Sequence, residues 1–191
     1  MKYIVAIMVL VLTACSGPRV ERLDASVEME LTDGWNARDS REVSEGMMGD
    51  MLSFPWYGSY LAQHNNQRPT VLVQQIRNAS HEHIAVDTFV NDIKRSLMMS
   101  GKIEFVAGGA ERVDIRDEKA DQAGNATAAT QKALGQEIGA DYVLTGVINS
   151  YVDQLKDKRV TYYQVDLKLI ELLTNREVWI GTKKIQKLMT K

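Results

Sequence analysis

The spacing of apolar positions predicts two amphipathic helices in the first half of the chain. Apolar residues recur every three or four positions in 43–52 and again in 89–97, as they do on the buried face of a helix. Asp39 followed by Glu42 has the spacing of a capping box, which predicts that the first helix starts with Asp39 as its N-cap. Gly101 is placed to end the second helix.

Short apolar runs and strict alternation predict strands between and after these helices. The predicted strands are 27–31, 70–76, 103–107, 141–152, 159–173 and 177–187. Turns are predicted at Arg77-Asn78 and, between the last two strands, at Asn175-Arg176. Between two prolines, 55–69 is predicted to be a loop with a short helix; 108–124 is predicted to be a short helix and a loop, and Asn125 to cap a helix that runs to Ile138.

The order of these elements predicts an α/β fold with a mixed sheet sandwiched with helices. Strands separated by helices should be parallel and connected by right-handed crossovers. The final strands have only short turns between them and should form an antiparallel meander. Adjacent Tyr162 and Tyr163 must point to opposite faces of that sheet, which predicts one of them in the core.

The start of the chain has the layout of a secretory signal peptide. Lys2 is followed by an apolar run from Ile4 to Leu12, which is too short to span a bilayer, and then by small residues. Leu12-Thr13-Ala14-Cys15 resembles the lipobox of bacterial lipoproteins, in which the signal is cut before the cysteine and its thiol carries lipid. We therefore expect a signal peptide at 1–14, lipidation of Cys15, a tether at 15–26 and a single domain at 27–191.

The lipobox resemblance also implies a location. Lipoproteins of this kind with Asp after the cysteine tend to stay in the inner membrane, whereas Ser16 stands at that position here. We therefore expect the protein to be lipid-anchored at the periplasmic face of the outer membrane. The chain has one cysteine, so that no disulfide is expected and a hydrophobic core must hold the domain together.

Composition excludes one class of partner. Removal of 1–14 takes away Lys2 alone, which leaves 22 basic against 25 acidic side chains and a net charge of −3. Such a chain is not a basic nucleic-acid-binding protein. No proline-rich or other low-complexity block and no internal repeat is visible in the sequence.

The sequence contains no recognised catalytic or cofactor-binding motif. It lacks the serine-hydrolase elbow, the P-loop and the dinucleotide fingerprint, so no enzyme activity and no cofactor is predicted. His81-Glu82-His83 could suggest a metal site, but two histidines two positions apart share a face only on a strand. A polar turn before a helix is the favoured interpretation, and no metal is predicted. The aromatic residues Trp56, Tyr57 and Tyr60 are either partner anchors or, as we favour, a lid on the core.

Several stretches of the chain resemble the LpoB family of outer-membrane activators of penicillin-binding proteins, which is related to the CsgG and TolB amino-terminal domains. These stretches are LTDGWNARDSREVSEGMM at 31–48, PTVLVQQIRNASHEHI at 69–84, FVNDIKRSLMMSGKIEFV at 89–106, IGADYVLTGVI at 138–148 and VWIGTKKI at 178–185. The resemblance implies a non-enzymatic, monomeric lipoprotein that docks on a bifunctional penicillin-binding protein and stimulates peptidoglycan synthesis.

The chain departs from that family in its tether. Well-known members carry a long proline-rich tether, whereas Cys15 and Trp35 are only 20 residues apart here. Fully extended, that segment reaches at most roughly 70 Å. The alternative is a CsgG-like structural or export-associated lipoprotein that oligomerises. The chain has no spare pair of alternating segments to line a pore, which counts against a pore of that type.

Overall fold

A computed structural model describes Asp24 and residues 30–125 and 138–190, which contain four helices and a five-stranded sheet. The helices are α1 (Ala37–Ser53), α2 (Pro55–Gln63), α3 (Val86–Ser100) and α4 (Gly109–Asn125). The strands are β1 (Thr70–Ala79), β2 (Glu104–Phe105), β3 (Tyr142–Leu155), β4 (Lys158–Glu171) and β5 (Glu177–Thr190).

The sheet is mixed, as the order of elements predicts. Its strand order is β2-β1-β3-β4-β5. Strand β1 pairs in parallel with β2 and β3, whereas β3 with β4 and β4 with β5 pair antiparallel. The predicted α/β class and the antiparallel meander are therefore confirmed. Each meander strand has 14 residues, so that β5 forms one long edge of the sheet.

Helices α1 and α3 pack on one another, with α1 against β5 and α3 against β1. The predicted apolar face of α1 is confirmed, because Val43, Met47 and Met51 are all buried. Strand β4 alternates between buried and half-buried residues, which places one of its two adjacent tyrosines, Tyr163, in the core and leaves Tyr162 on the other face. Full burial of one such apolar side chain stabilises a fold by about 1.5–3 kcal/mol.

The start of α1 differs from the prediction. Its N-cap is Asn36, and Asp39 is the third helical residue rather than the cap. The Asn36 side chain accepts the backbone N–H of Asp39 at 3.0 Å, while the Asp39 carboxylate accepts the backbone N–H of Asn36 at 2.9 Å. Asn36 and Asp39 can each cap a helix, and each is followed three residues later by an acidic residue. The capping-box pattern therefore fits both positions, and the prediction took the wrong one.

Other boundaries also shift. The predicted turn at Arg77-Asn78 is wrong, because both residues belong to β1 and pair with Val147 and Ile148 of β3. Strand β2 has only two residues, and 109–125 form one 17-residue helix instead of a short helix and a loop. The predicted strand at 27–31 and the helix to Ile138 fall mostly outside the described residues.

Two glycines allow close packing around Leu167 of β4. Leu167 pairs with Gly146 on one side and Gly181 on the other. A Cβ atom on Gly146 would lie 2.3 Å from the Asp166 carbonyl oxygen, and one on Gly181 would lie 2.2 Å from the Trp179 ring. Glycine is therefore required at both positions by contact with neighbouring atoms. At Gly101 the requirement is different: its φ of 64° is left-handed, which confirms it as the C-cap of α3.

Candidate functional site

The predicted lipidation site lies outside the described part of the chain. Cys15, the signal peptide at 1–14 and all of the tether at 15–26 except Asp24 are not described by the structure. Lipidation of Cys15 and the bounds of the signal peptide and tether stay predictions. Where the described residues resume, the chain runs through Asp33 and Trp35 into the N-terminus of α1.

The His81-Glu82-His83 segment lies at the bend between β1 and α3. Both histidines are exposed, whereas Glu82 is half-buried and points inward. No group of three or more His, Cys, Asp or Glu side chains suited to a metal ion occurs within the described residues. The Glu82 carboxylate instead accepts hydrogen bonds from this chain's own groups, as the junction described next shows.

Polar groups from four parts of the chain meet where the N-terminal segment joins the domain. We call this the junction cluster; it consists of Asp33, Trp35, Asp39, Glu82, Arg159, Thr161, Tyr163 and Lys187. Glu82 Oε1 accepts the backbone N–H of Trp35 at 2.8 Å and the Tyr163 hydroxyl at 2.5 Å. The Glu82 carboxylate thereby links the segment before α1 to the middle of β4.

Asp33 is the second carboxylate of the junction cluster. It is only 7% exposed and accepts a hydrogen bond from the Thr161 hydroxyl. Arg159 Nε lies 3.0 Å from Asp33 Oδ2, although its alignment is not that of a hydrogen bond. The Tyr163 hydroxyl also lies 3.2 Å from the Asp33 carbonyl oxygen. The side chain and the backbone of Asp33 therefore both hold the segment before α1 against β4.

A buried ion pair ties the start of α1 to β5. Lys187 Nζ lies 2.5 Å from Asp39 Oδ2 and donates to the Gly34 carbonyl oxygen at 2.9 Å. The two charged side chains are only 9% and 6% exposed. The same Asp39 oxygen accepts the N-cap N–H of Asn36, so the pair and the helix cap share one carboxylate. Such a pair needs this full set of partners, because an unpaired buried charge is costly.

The environment shifts the protonation of two groups in the junction cluster in opposite directions. The hydrogen bond from Thr161 lowers the pKa of the Asp33 carboxyl, and Arg159 and His81 lower it further against the effect of burial. Burial raises the pKa of the Tyr163 hydroxyl, and the neighbouring Glu82 raises it further. At neutral pH Asp33 is therefore an ionised acceptor and Tyr163 a neutral donor, which are the states that their contacts require.

Aromatic rings cover the junction cluster from the core side. The Trp35 ring packs edge-on against Phe89 at 5.9 Å and against Tyr163 at 5.5 Å between centroids. Its Nε1–H donates to the Ser40 hydroxyl at 2.8 Å. These contacts join Trp35, which precedes the N-cap of α1, to helix α3 and strand β4.

The aromatic residues of 55–63 form a lid rather than a partner anchor. Trp56 and Tyr60 are 6% and 8% exposed, and both rings pack against Tyr142 at the start of β3. The Trp56 indole donates to the Met51 carbonyl oxygen at 2.7 Å, and the Tyr60 hydroxyl donates to Asp141 at 2.7 Å. This confirms the interpretation of these residues as a lid on the core.

Within the described residues, a hydroxyl and an imidazole meet at half-buried Ser150 and exposed His81. His81 Nδ1 lies 2.6 Å from Ser150 Oγ, which also accepts the His81 backbone N–H at 2.9 Å. No carboxylate among the described residues forms a hydrogen bond with the His81 ring, so the third group that orients the base in a catalytic triad is missing there. The pair closes the bend after β1.

The surface of the meander carries exposed apolar side chains and lysines. Tyr151, Leu155, Ile180 and Leu188 are between 58% and 74% exposed. The Tyr151 ring stacks on Tyr162 with 4.8 Å between centroids. Exposed apolar groups clustered with charges are typical of surfaces that bind other proteins. No signal in the sequence separates them from ordinary strand residues.

Comparisons with known proteins identify a family and similar structures. A family model described as peptidoglycan-synthase activator LpoB matches residues 39–185, more than half of the chain. A search of curated proteins returned no match. The chain is similar to the LpoB C-terminal domain of Salmonella enterica with 16% identity and a TM-score of 0.46, over 78% of this chain and 99% of that one.

Two further solved structures are similar at the same low identity. The solution structure of Escherichia coli LpoB has 15% identity and a TM-score of 0.42, over 93% of this chain and 85% of that one. A lipoprotein of Neisseria meningitidis has 18% identity and a TM-score of 0.41, over 62% of this chain and 83% of that one.

In the described residues, none of the helices has the length and apolar character needed to cross a bilayer.

Proposed function

The chain belongs to the LpoB family of peptidoglycan-synthase activators, and from this membership we propose that it activates a bifunctional penicillin-binding protein as a lipoprotein of the outer membrane. The observation that carries the proposal is the family match over residues 39–185, which extends from the first turn of α1 to the middle of β5. The match includes both helices that pack on one another and nearly the whole sheet. It therefore concerns the domain as a unit rather than one local motif.

Activation by a non-enzymatic domain requires preferential binding to an active state of the synthase. A ligand shifts an equilibrium between two states only by the ratio of its affinities for them. A tenfold preference for the active synthase, which corresponds to about 1.4 kcal/mol, would raise the ratio of active to inactive enzyme tenfold. A preformed docking surface on a rigid sheet serves this purpose, because little binding energy is then lost in ordering the activator.

The junction cluster fixes the segment before α1 to the rest of the domain. The backbone of Trp35 and the carboxylate of Asp33 are both fixed to the domain, through Glu82 and Thr161 respectively. From Cys15 to Trp35 the chain therefore has at most roughly 70 Å of reach. In the proposed arrangement the synthase must present its receiving surface within that distance of the outer membrane.

Lipidation of Cys15 is proposed as the attachment to the outer membrane. Stable anchoring takes two or more acyl chains. The lipobox pattern implies a diacylglycerol on the thiol and a further acyl chain on the new amino terminus. The variant Cys15→Ala should be found without lipid and outside the outer-membrane fraction, as measured by fractionation and intact mass. Ser16→Ala is the matched control and should stay anchored. Recovery of Cys15→Ala in the outer membrane with the acyl mass of the unchanged protein would contradict the proposal.

The activator function is tested by capture of its partner. The lipidated full-length protein, held on beads in detergent, is exposed to detergent extract of its own organism, and retained proteins are identified by mass. Specific retention of a bifunctional penicillin-binding protein, followed by a higher glycan-polymerisation rate on addition of the lipoprotein, would support the proposal. Self-association or retention of export components with no synthase would instead favour the CsgG-like alternative.

A further inference from the structure

Among residues 30–125 and 138–190, strand β5 has a free hydrogen-bonding edge along its whole length. It is the last strand of the sheet and pairs only with β4, over Lys158 to Ile170. Within residues 30–125 and 138–190, no turn or loop backbone forms a hydrogen bond with β5 from its other side. An edge of 14 residues is unusually long to leave unpaired, since such edges readily add another strand.

The charges on β5 restrict which strand could be added. Residues 178–190 contain three lysines and no acidic residue. Lys187 is buried in its pair with Asp39, whereas Lys183 and Lys184 are exposed and form no ion pair with a described residue. Lys183 lies on the side of α1, with its Nζ 3.9 Å from the position of a Cβ on Gly46. Lys184 lies on the opposite face of the strand and is the charge that an incoming strand would meet there.

Apolar groups flank Lys184 on that same face. Ile180 and Leu188 stand four positions before and after Lys184, so all three side chains share one face of the strand. Both apolar side chains are 64% exposed. At 3.3 Å per residue, each lies about 13 Å from Lys184 along the strand. A complementary strand would therefore carry an acidic residue at its centre and an apolar residue near each end.

A second copy of this chain does not have that chemistry. Antiparallel pairing of two β5 edges about their middle would place Lys184 of one copy beside Lys184 of the other, and like charges directly opposite one another destabilise a sheet. The lysines thus discourage self-association while they leave the edge open to a strand of opposite charge.

We propose that the free edge of β5 is the docking surface for an acidic extended segment of the partner synthase, which adds to the sheet as a sixth strand beside Ile180, Lys184 and Leu188. The proposal rests on the proposed function for the identity of the partner. Backbone hydrogen bonds supply the affinity, and the central charge with its two apolar flanks supplies the specificity.

Charge reversal at the centre of the edge tests the electrostatic part. Lys184→Glu replaces the attraction between Lys184 and the acidic segment of the synthase with a repulsion of similar size. The affinity of the full-length lipoprotein for the purified synthase should therefore fall about tenfold. The matched control is Lys102→Glu, which makes the same charge change at an exposed position just after the C-cap of α3. It should change the affinity less than about twofold. Equal effects of the two variants would overturn the proposal.

Hydrogen exchange of the unchanged protein tests the backbone part independently of any variant. Amides on the outer edge of β5 should exchange rapidly in the free protein and slowly when the synthase is bound. If they are already protected in the free protein, then another segment of this chain or a second copy covers the edge, and the proposal is wrong. Unchanged exchange in β5 while the synthase is bound would place the interface elsewhere and leave the activator function standing. Absence of synthase binding by the unchanged protein would overturn both proposals.

Discussion

Replacement of Lys187 by methionine should strongly destabilise the domain although it keeps the length and most of the volume of the side chain. Lys187 Nζ contacts the Asp39 carboxylate at 2.5 Å and the Gly34 carbonyl oxygen at 2.9 Å, and the lysine side chain is 9% exposed. Methionine can replace neither hydrogen bond. The change leaves a buried carboxylate without its counter-charge and a backbone carbonyl without its donor.

The magnitude follows from this geometry. Removal of one partner of a buried ion pair costs about 3–5 kcal/mol. The lower end of that range applies here, because Asp39 keeps the N-cap N–H of Asn36 and the buried lysine no longer has to be desolvated. We therefore expect a loss of about 3 kcal/mol in the free energy of unfolding. For a domain of this size that corresponds to a fall of roughly 6–12 °C in Tm.

Urea unfolding followed by tryptophan fluorescence measures this loss. Trp35 lies in the junction cluster and Trp179 is buried on β5, so both report on the affected region. The matched control is Lys184→Met on the same strand, where the lysine is exposed and forms no ion pair with a described residue. This control should change the free energy of unfolding by less than about 0.5 kcal/mol.

A double-mutant cycle with Asp39→Asn separates the ion pair from other effects. In the double variant the losses should be less than additive, with a coupling of about 1–3 kcal/mol, because each single change already breaks the pair. A loss in Lys187→Met no larger than that in Lys184→Met would refute the reasoning. Strict additivity in the cycle would refute it as well.

Two further predictions concern the sheet. Gly146→Ala should lower the free energy of unfolding by about 3 kcal/mol or prevent folding, because the new Cβ would lie 2.3 Å from the Asp166 carbonyl oxygen. In the same urea assay the control Gly58→Ala on α2, where nothing lies within 4 Å of the new Cβ, should be neutral or stabilising. Burial raises the pKa of Tyr142 to about 12. Burial and the neighbouring Glu82 also raise the pKa of Tyr163. Since a raised pKa gives stability that is lost as pH rises, the free energy of unfolding should decline from about pH 10 upward. A flat profile between pH 9 and 12 would contradict this.

The sequence alone determined the class of the fold and the order of its parts. Apolar residues at period 3.6 marked α1 and α3, and alternation at period 2 marked β4, because burial of one face requires that period in each kind of element. Tyr163 could be assigned to the opposite face from Tyr162 for the same reason. These signals are local, so they can be recognised without knowledge of what packs against each element.

Only the tertiary structure decided what the local patterns left open. Asn36 and Asp39 were equally good caps by spacing, and Asp39 became the partner of Lys187 from 148 positions away. Glu82 stood between two histidines and suggested metal chemistry, yet it holds Trp35 across 47 positions. A single sequence carries no record of such distant pairs, because a hydrogen bond depends on where the chain folds back rather than on spacing.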